Sequence, residues 1–263
     1  MDKPGIGIAL GAGAARGLAH IGVLQVLESE GIKAQYVAGA SVGSLIGALF
    51  AAGVDLHRLE QVACSIRLKH IVDFGVFPGK GGVVQGEKLR EVLNVFLQGK
   101  TFADLKLPFA AVATDLTTGE EVVFREGSVV TAVVASCAIP GVFVPVRCAS
   151  RLLVDGGLVD RVPIRVLQEM GAAYMVGVDV GPSLRTGRFR SAAEVTMQAI
   201  DIMQEVIVRL RTTKADIFIR PDVGDFSAIQ LDKAPELIQR GRDAAWEALP
   251  LINELIRDGK NEA

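Results

Sequence analysis

Short, continuously apolar runs alternate with segments of helical periodicity along nearly the whole chain. Residues 6–10 (Ile-Gly-Ile-Ala-Leu) have the pattern of a strand buried on both faces, and they end in a glycine- and alanine-rich turn at 11–17. From Leu18 the period changes. Leu18, Ile21, Leu24, Val26 and Leu27 recur at helical spacing until Gly31 stops the helix. A second apolar run reaches a small-residue turn at Ser41, and an alanine- and leucine-rich helix follows as far as about Gly53. Helices are predicted over 55–68 and 87–97. The glycine-rich stretch 73–86 between them is expected to be a loop, a lid or access element. Residues 108–116 predict a strand that turns through Thr117-Thr118-Gly119 into 121–124 as a hairpin. Then come a helix at 128–138 broken before Pro140, a short strand at 152–154, a helix at 164–170 and a buried strand at 173–180. A basic loop at 183–190, a long helix at 192–214, a strand at 217–220 and mainly helical sequence at 233–257 complete the pattern.

This alternation has no linker-like break, and 263 residues suffice for a substantial core. The expected architecture is one domain, 1–263, of class α/β, with three layers (α/β/α) around a mostly parallel central sheet. Half the residues are hydrophobic but only 5% are aromatic, so the core is one of alanine, valine and leucine with tight turns. Residues 34–54 carry no charge, and Gly39, Gly43 and Gly47 fall at GxxxG spacing, which raises a membrane span as an alternative. Gln35, Tyr36, two serines and the glycines leave the window only moderately apolar, and a buried strand followed by a central helix accounts for it. The first residues lack a basic stretch followed by a long apolar one, so no signal peptide is expected. A formal charge of −2 gives no reason to expect a nucleic-acid partner. Cys64, Cys137 and Cys148 show no paired spacing. They are expected to be buried free thiols of a reducing, cytoplasmic compartment, with no disulfide framework, metal or cofactor.

Gly39-Ala40-Ser41-Val42-Gly43 stands between the second strand and its helix, the order a nucleophile elbow requires. The earlier turn, Gly11-Ala12-Gly13-Ala14-Ala15-Arg16-Gly17, must first be tested as a dinucleotide site. Its third glycine position is Arg16, and the second strand ends in Gly39-Ala40-Ser41 without the acidic residue that a ribose needs. The same geometry serves an oxyanion hole, since backbone N–H groups at a helix start are donors without intrahelical partners. Arg16 either braces this turn or is a solvated cation.

A serine–histidine–aspartate triad of the α/β-hydrolase order needs a histidine far downstream of Ser41. His20, His57 and His70 all lie in the first third of the chain, so the base is sought among carboxylates. His20 is expected to be a packed or surface side chain, and His57 and His70 helix-surface ones. Asp155 follows a short strand and precedes Gly156-Gly157, which suits a base at a sheet edge and equally an ordinary Asp-Gly turn. Asp115 is its rival, but the following Thr-Thr-Gly favours a turn-forming role.

The ordered set Gly-Ala-Gly-Ala-Ala-Arg-Gly at 11–17, Gly39-Ala-Ser41-Val-Gly43 and Asp155-Gly156-Gly157 resembles the patatin-like phospholipase family. Ala113-Thr114-Asp115-Leu116 and Ser136-Cys-Ala-Ile-Pro140-Gly-Val-Phe143 look like its bacterial branch. The resemblance runs from about residue 6 to 180 and leaves a mainly helical C-terminal part. It implies a patatin-like fold and a lipid acyl hydrolase working through an acyl-enzyme, with Ser41 as nucleophile and Asp155 as base. It also implies an oxyanion hole in the first turn, formed by Gly13 and Ala14 with Gly11 needed for the turn itself. Arg16, Gly17, Gly39, Gly43, Gly156 and Gly157 are then structural motif residues. The family pattern Gly-Gly-Gly-x-Arg-Gly is changed here at Ala12 and Ala14. Alanine still supplies an N–H but tolerates positive φ poorly. The implied partner is a lipid or fatty-acyl ester, and the C-terminal helices suit either membrane-surface contact or homo-oligomerisation. The alternative to an enzyme is a catalytically weak regulatory or scaffolding protein of the same fold.

Overall fold

The apolar run at 6–10 lies inside a mixed sheet in the computed structural model, which describes residues 5–73, 75, 81–181, 192–211 and 215–261. In chain order the elements are β1 (Ile6–Leu10), α1 (Ala19–Ser29), β2 (Ala34–Ala40), α2 (Val42–Ala51), α3 (Leu56–Ser65), α4 (Leu68–Ile71) and α5 (Glu87–Leu97). There follow β3 (Phe109–Asp115), β4 (Glu121–Phe124), α6 (Val129–Ser136), β5 (Val146–Cys148), β6 (Arg151–Asp155) and α7 (Ile164–Met170). The last are β7 (Tyr174–Val178), α8 (Ala192–Arg211), β8 (Ile217–Ile219) and α9 (Ala234–Asn261). The strand order is β5-β6-β3-β2-β1-β7-β8, with β4 also paired to β3.

Strands β3, β2, β1, β7 and β8 form a parallel body, as right-handed crossovers through helices require. Alternation along the strands sorts side chains by size. Ile8, Leu10 and Val37 face the layer that holds α1, α2 and α9, whereas Ala9, Ala38 and Ala40 face the layer that holds α7 and α8. These two faces make the three-layer α/β/α arrangement. Helices α1 and α9 meet backbone to backbone, since a Cβ on Gly22 or Gly241 would fall 2.0 Å from a carbonyl of the other helix.

One edge of β3 positions the chemistry. Parallel β2 pairs with it as far as Ala40 opposite Val112, and antiparallel β6 arrives from the other direction to place Asp155 opposite Ala113. Strand β4 covers Ala111–Thr114 on the opposite edge, so β2 and β6 share one edge and meet end to end. The carboxyl ends of both strands therefore point into one place.

Several local expectations change. The helix expected over 55–68 is two, because Ile66 and Arg67 are extended between α3 and α4. Strand β5 was not expected. Its three residues are too few for a period, and only pairing with β6 makes it a strand. In the expected loop 73–86, the Asp73 carboxylate accepts the N–H groups of Gly86 and Glu87 at 2.9 and 3.1 Å. Val83 and Val84 both donate to the Val142 carbonyl at 2.9 Å. Residues 74 and 76–80 of that loop, and the whole basic loop 183–190, lie outside the described residues. Cys137 is a buried free thiol as expected, but Cys64 and Cys148 are only partly buried. The uncharged window 34–54 is β2 and α2 with a largely buried helix, and no helix among the described residues is long and apolar enough to cross a membrane.

Candidate active site

Ser41 sits between β2 and α2 with φ 53° and ψ −127°, a backbone conformation that side chains other than glycine avoid, at a cost of about 1–3 kcal/mol. The flanking glycines permit the turn by close approach. A Cβ on Gly39 would fall 2.4 Å from the Gly43 carbonyl oxygen, and one on Gly43 would fall 2.0 Å from that of Leu10. The strained turn is held from both sides. The Ser41 N–H donates to the Ser136 hydroxyl at 2.9 Å, and the Ser41 carbonyl accepts from Ser44 N–H, Leu45 N–H and the Ser44 hydroxyl. Its hydroxyl stands at the first turn of α2, where the helix field favours negative charge.

Asp155 ends β6, and Gly156 beside it allows the chain to pass β3, since a Cβ there would meet the Val112 carbonyl oxygen at 2.1 Å. One carboxylate oxygen accepts from Gly157 N–H at 2.8 Å, so the Asp-Gly turn exists, yet the residue also lines the cavity that Ser41 lines. Burial pushes its carboxyl up to about 6, against the downward pull of the Ser41 hydroxyl and the Gly157 N–H. Asp115 does not reach this place. It pairs with Leu153 in the sheet and accepts from Thr117 N–H at 2.9 Å, a turn-forming role.

In the first turn, Gly11 N–H is bonded to Val178 O at 2.9 Å and Ala12 N–H to Arg161 O at 3.0 Å. Gly11 therefore shapes the turn and donates nothing to the cavity. The N–H groups of Gly13 and Ala14 have no partner among the described residues, and both residues line the cavity beside Ser41. Ala14 takes φ 51°, so this alanine does adopt the conformation that glycine would adopt more readily. Gly17 packs against α2, where a Cβ would lie 2.2 Å from a Val42 methyl carbon. Arg16 is buried. Its guanidinium donates to the Phe226 carbonyl at 3.4 Å and lies 3.7 Å from Asp201 of α8, so it clamps the turn to its neighbours.

Two residues that sequence patterns left without a role emerge here. Ser136 closes α6, fully buried, and its hydroxyl donates a hydrogen bond to the Val112 carbonyl at 2.5 Å. His20 is fully buried and its Nε2 donates to the Gly11 carbonyl at 2.8 Å. Burial pushes the His20 pKa down to about 4, against the upward pull of that carbonyl and of Asp179, so it holds the turn as a neutral ring. No spacing rule joins either residue to Ser41. His57 and His70 are exposed on α3 and α4 as expected.

Two cavities meet at Ser41, sharing Ala14, Ile139 and Ala228 as common wall. The smaller, about 40 Å³, holds Asp155, Arg16, Asp201 and Gln204. The larger, about 320 Å³, follows Val42, Leu45, Ile46 and Leu49 along α2 and is closed by apolar side chains of α3 and α5. Ser41 and Cys137 are the two residues of its described wall that are not hydrocarbon. Burial, then the nearby Asp155, push the Cys137 thiol well up, so it stays protonated at neutral pH.

A family model described as patatin-like phospholipase matches residues 8–167. An uncharacterized NTE family protein from Mycobacterium tuberculosis is 34% identical over 188 residues, which are 69% of this chain and 51% of that protein. Patatin-like phospholipase domain-containing protein 6 of Mus musculus is 35% identical over 185 residues, 67% of this chain and 13% of that protein. The chain thus spans about half the length, or less, of these curated relatives. The crystal structure of VipD from Legionella pneumophila aligns with a TM-score of 0.66 at 16% identity, covering 95% of this chain and 67% of that one, a likeness of fold.

Proposed function

The chain belongs to the patatin-like phospholipase family, and from that premise we propose that it hydrolyses the acyl ester of a lipid through a Ser41–Asp155 dyad. One observation carries the reading. Ser41, on a strained turn, is at once the hydroxyl on the wall of an apolar chamber and a neighbour of a buried carboxylate in the adjoining polar cleft.

The acyl chain lies along α2 in the chamber, which brings its carbonyl carbon over Ser41. Asp155 takes the hydroxyl proton as the oxygen attacks. A carboxylate with a pKa near 6 is a stronger base than an ordinary aspartate and is still ionised at neutral pH. The carbonyl oxygen becomes an oxyanion facing the N–H groups of Gly13 and Ala14, aided by the field of α2. Collapse expels the alcohol, which leaves with the proton held by Asp155. Water then attacks the acyl-enzyme, giving its proton to Asp155, and the second collapse releases the fatty acid and returns that proton to Ser41. His20 takes no part as base, because its Nε2 is committed to Gly11 and lies outside the cleft wall.

A fluorophosphonate probe tests the assignment. It should label wild type and not Ser41→Ala, and hydrolysis of fatty-acyl esters should disappear in Ser41→Ala and Asp155→Asn. A folded wild-type protein that is neither labelled nor active would instead be the scaffold of the alternative reading.

A further inference from the structure

Helix α8 is turned the wrong way for a helix that meets water. Val195, Ile202, Met203, Val206 and Leu210 are each 45–74% exposed, and the exposed Ala199 fills the gap between the first two. Their spacing puts all six on one face. Asp201, Gln204 and Glu205 look the other way, into the protein, while the exposed Thr196 and Arg209 border the stripe. Asp201 lies 3.7 Å from the buried Arg16, and Glu205 lies 3.7 Å from the buried Arg161. Gln204 and Ile200 form part of the wall of the cleft that holds Ser41 and Asp155. The helix is thus anchored through its polar face, while an apolar stripe faces outward on the back of the catalytic cleft.

An exposed apolar stripe of this kind marks a contact surface. A second copy of the chain fits poorly. Sixteen residues of helix measure about 24 Å and one helix is about 10 Å wide, a few hundred Å² at most. A stable interface buries about 800 Å² on each partner. A lipid surface needs no matching shape and accepts a single in-plane helix with an apolar arc. The stripe itself carries no charge, and Arg209 at its border is already paired with Glu205 at 3.3 Å. Near the same cleft, Ile229 is 67% exposed and also lines the acyl chamber, so the chamber wall reaches the surface through another uncovered apolar side chain.

We propose that α8 lies in the headgroup–acyl boundary of a lipid surface with this stripe inward, and so holds the Ser41 cleft at the layer from which its substrate comes. The proposal rests on the lipid-hydrolase reading for its purpose, and the docking is measured without catalysis. The contact is apolar, so it does not require anionic lipid.

The test is co-sedimentation with phosphatidylcholine vesicles at low and high salt, alongside hydrolysis of p-nitrophenyl butyrate in free solution. Wild type should bind at both salt concentrations. Ile202→Glu with Val206→Glu, and separately Leu210→Glu, should weaken binding by roughly tenfold per buried side chain lost while leaving butyrate turnover unchanged. Wild type that stays in the supernatant, or variants that bind as well as wild type, would overturn the docking. So would a wild-type dimer in light scattering that the same substitutions turn into a monomer, since the stripe would then cover a second copy. Stripe-dependent vesicle binding without any ester turnover would leave the docking standing and remove the hydrolase reading.

Discussion

The backbone N–H of Ser41 donates to the hydroxyl of Ser136, 95 residues away, at 2.9 Å, and that hydroxyl donates in turn to the Val112 carbonyl at 2.5 Å. One buried side chain therefore ties the strained elbow to the strand edge where β2 and β6 meet. Ser136→Ala strands a buried donor and a buried acceptor together, an effect of about 1–3 kcal/mol. The expected result is a lower melting temperature and a fall in kcat of roughly ten- to a hundredfold, as a misplaced nucleophile produces. Steady-state kinetics on a soluble ester should show KM almost unchanged.

Strain at Ser41 predicts a difference between two inactive variants. Ser41→Gly and Ser41→Ala both remove the proposed nucleophile, but only glycine adopts φ 53° and ψ −127° without penalty. Ser41→Gly should be the more stable of the two by about 1 kcal/mol, after the greater freedom of glycine in the unfolded chain is set against the relief. Urea unfolding of the pair measures this. Equal stabilities would mean that the elbow is not strained.

Two buried titratable groups should oppose each other in the pH dependence of stability. Asp155 holds its proton up to about pH 6 when folded but releases it near 3.8 when unfolded, so it favours the fold increasingly as pH falls through that window. His20 does the reverse. Unfolded it binds a proton near 6.5, folded only near 4, so it disfavours the fold as pH falls. Each effect amounts to roughly 3 kcal/mol at full extent. Relative to wild type, Asp155→Asn should gain stability above pH 6 and lose that advantage towards pH 4. His20→Gln, which keeps a donor for Gly11, should show its gain below pH 6. Melting curves between pH 4 and 7 check both signs.

The dyad we propose also carries an expected pH profile. With ionised Asp155 as its base, kcat/KM should rise with pH through about 6 and level off above it. A profile still rising towards pH 9 would point to a different base.

Chamber geometry predicts the acyl preference. Leu45 is one helical turn from Ser41 and lines the apolar cavity near its start. Leu45→Trp should fill that part, cutting kcat/KM for long-chain esters by about tenfold or more while sparing acetate and butyrate esters. A chain-length series for wild type and variant separates this from a general loss of activity, which would lower every ester alike.

Local signals made much of this protein legible before any coordinate. Strand β1, the elbow at Ser41, the helix after it and the three-layer class follow from period and turn chemistry, because each is a property of a few consecutive residues. The apolar window 34–54 was assignable to β2 and α2 for the same reason. What spacing could not supply is how separated elements meet. Asp155 is suited equally to a turn or to a base until antiparallel β6 is seen to end opposite Ala113, one position beyond the end of β2. His20 carries no distinguishing pattern, Arg16 and Ser136 stand in recognisable stretches whose spacing does not say what they touch, and the parts of all three in the site exist only as contacts across the fold. The outward apolar face of α8 is likewise invisible in its amphipathic period, which states that one side is apolar but not which side turns inward. The sequence alone thus determined most of the elements, though not β5 or the break between α3 and α4, and which residue types could do chemistry. Tertiary structure decided which of them share a cleft, because burial, pairing register and long-range hydrogen bonds arise only when distant segments pack together.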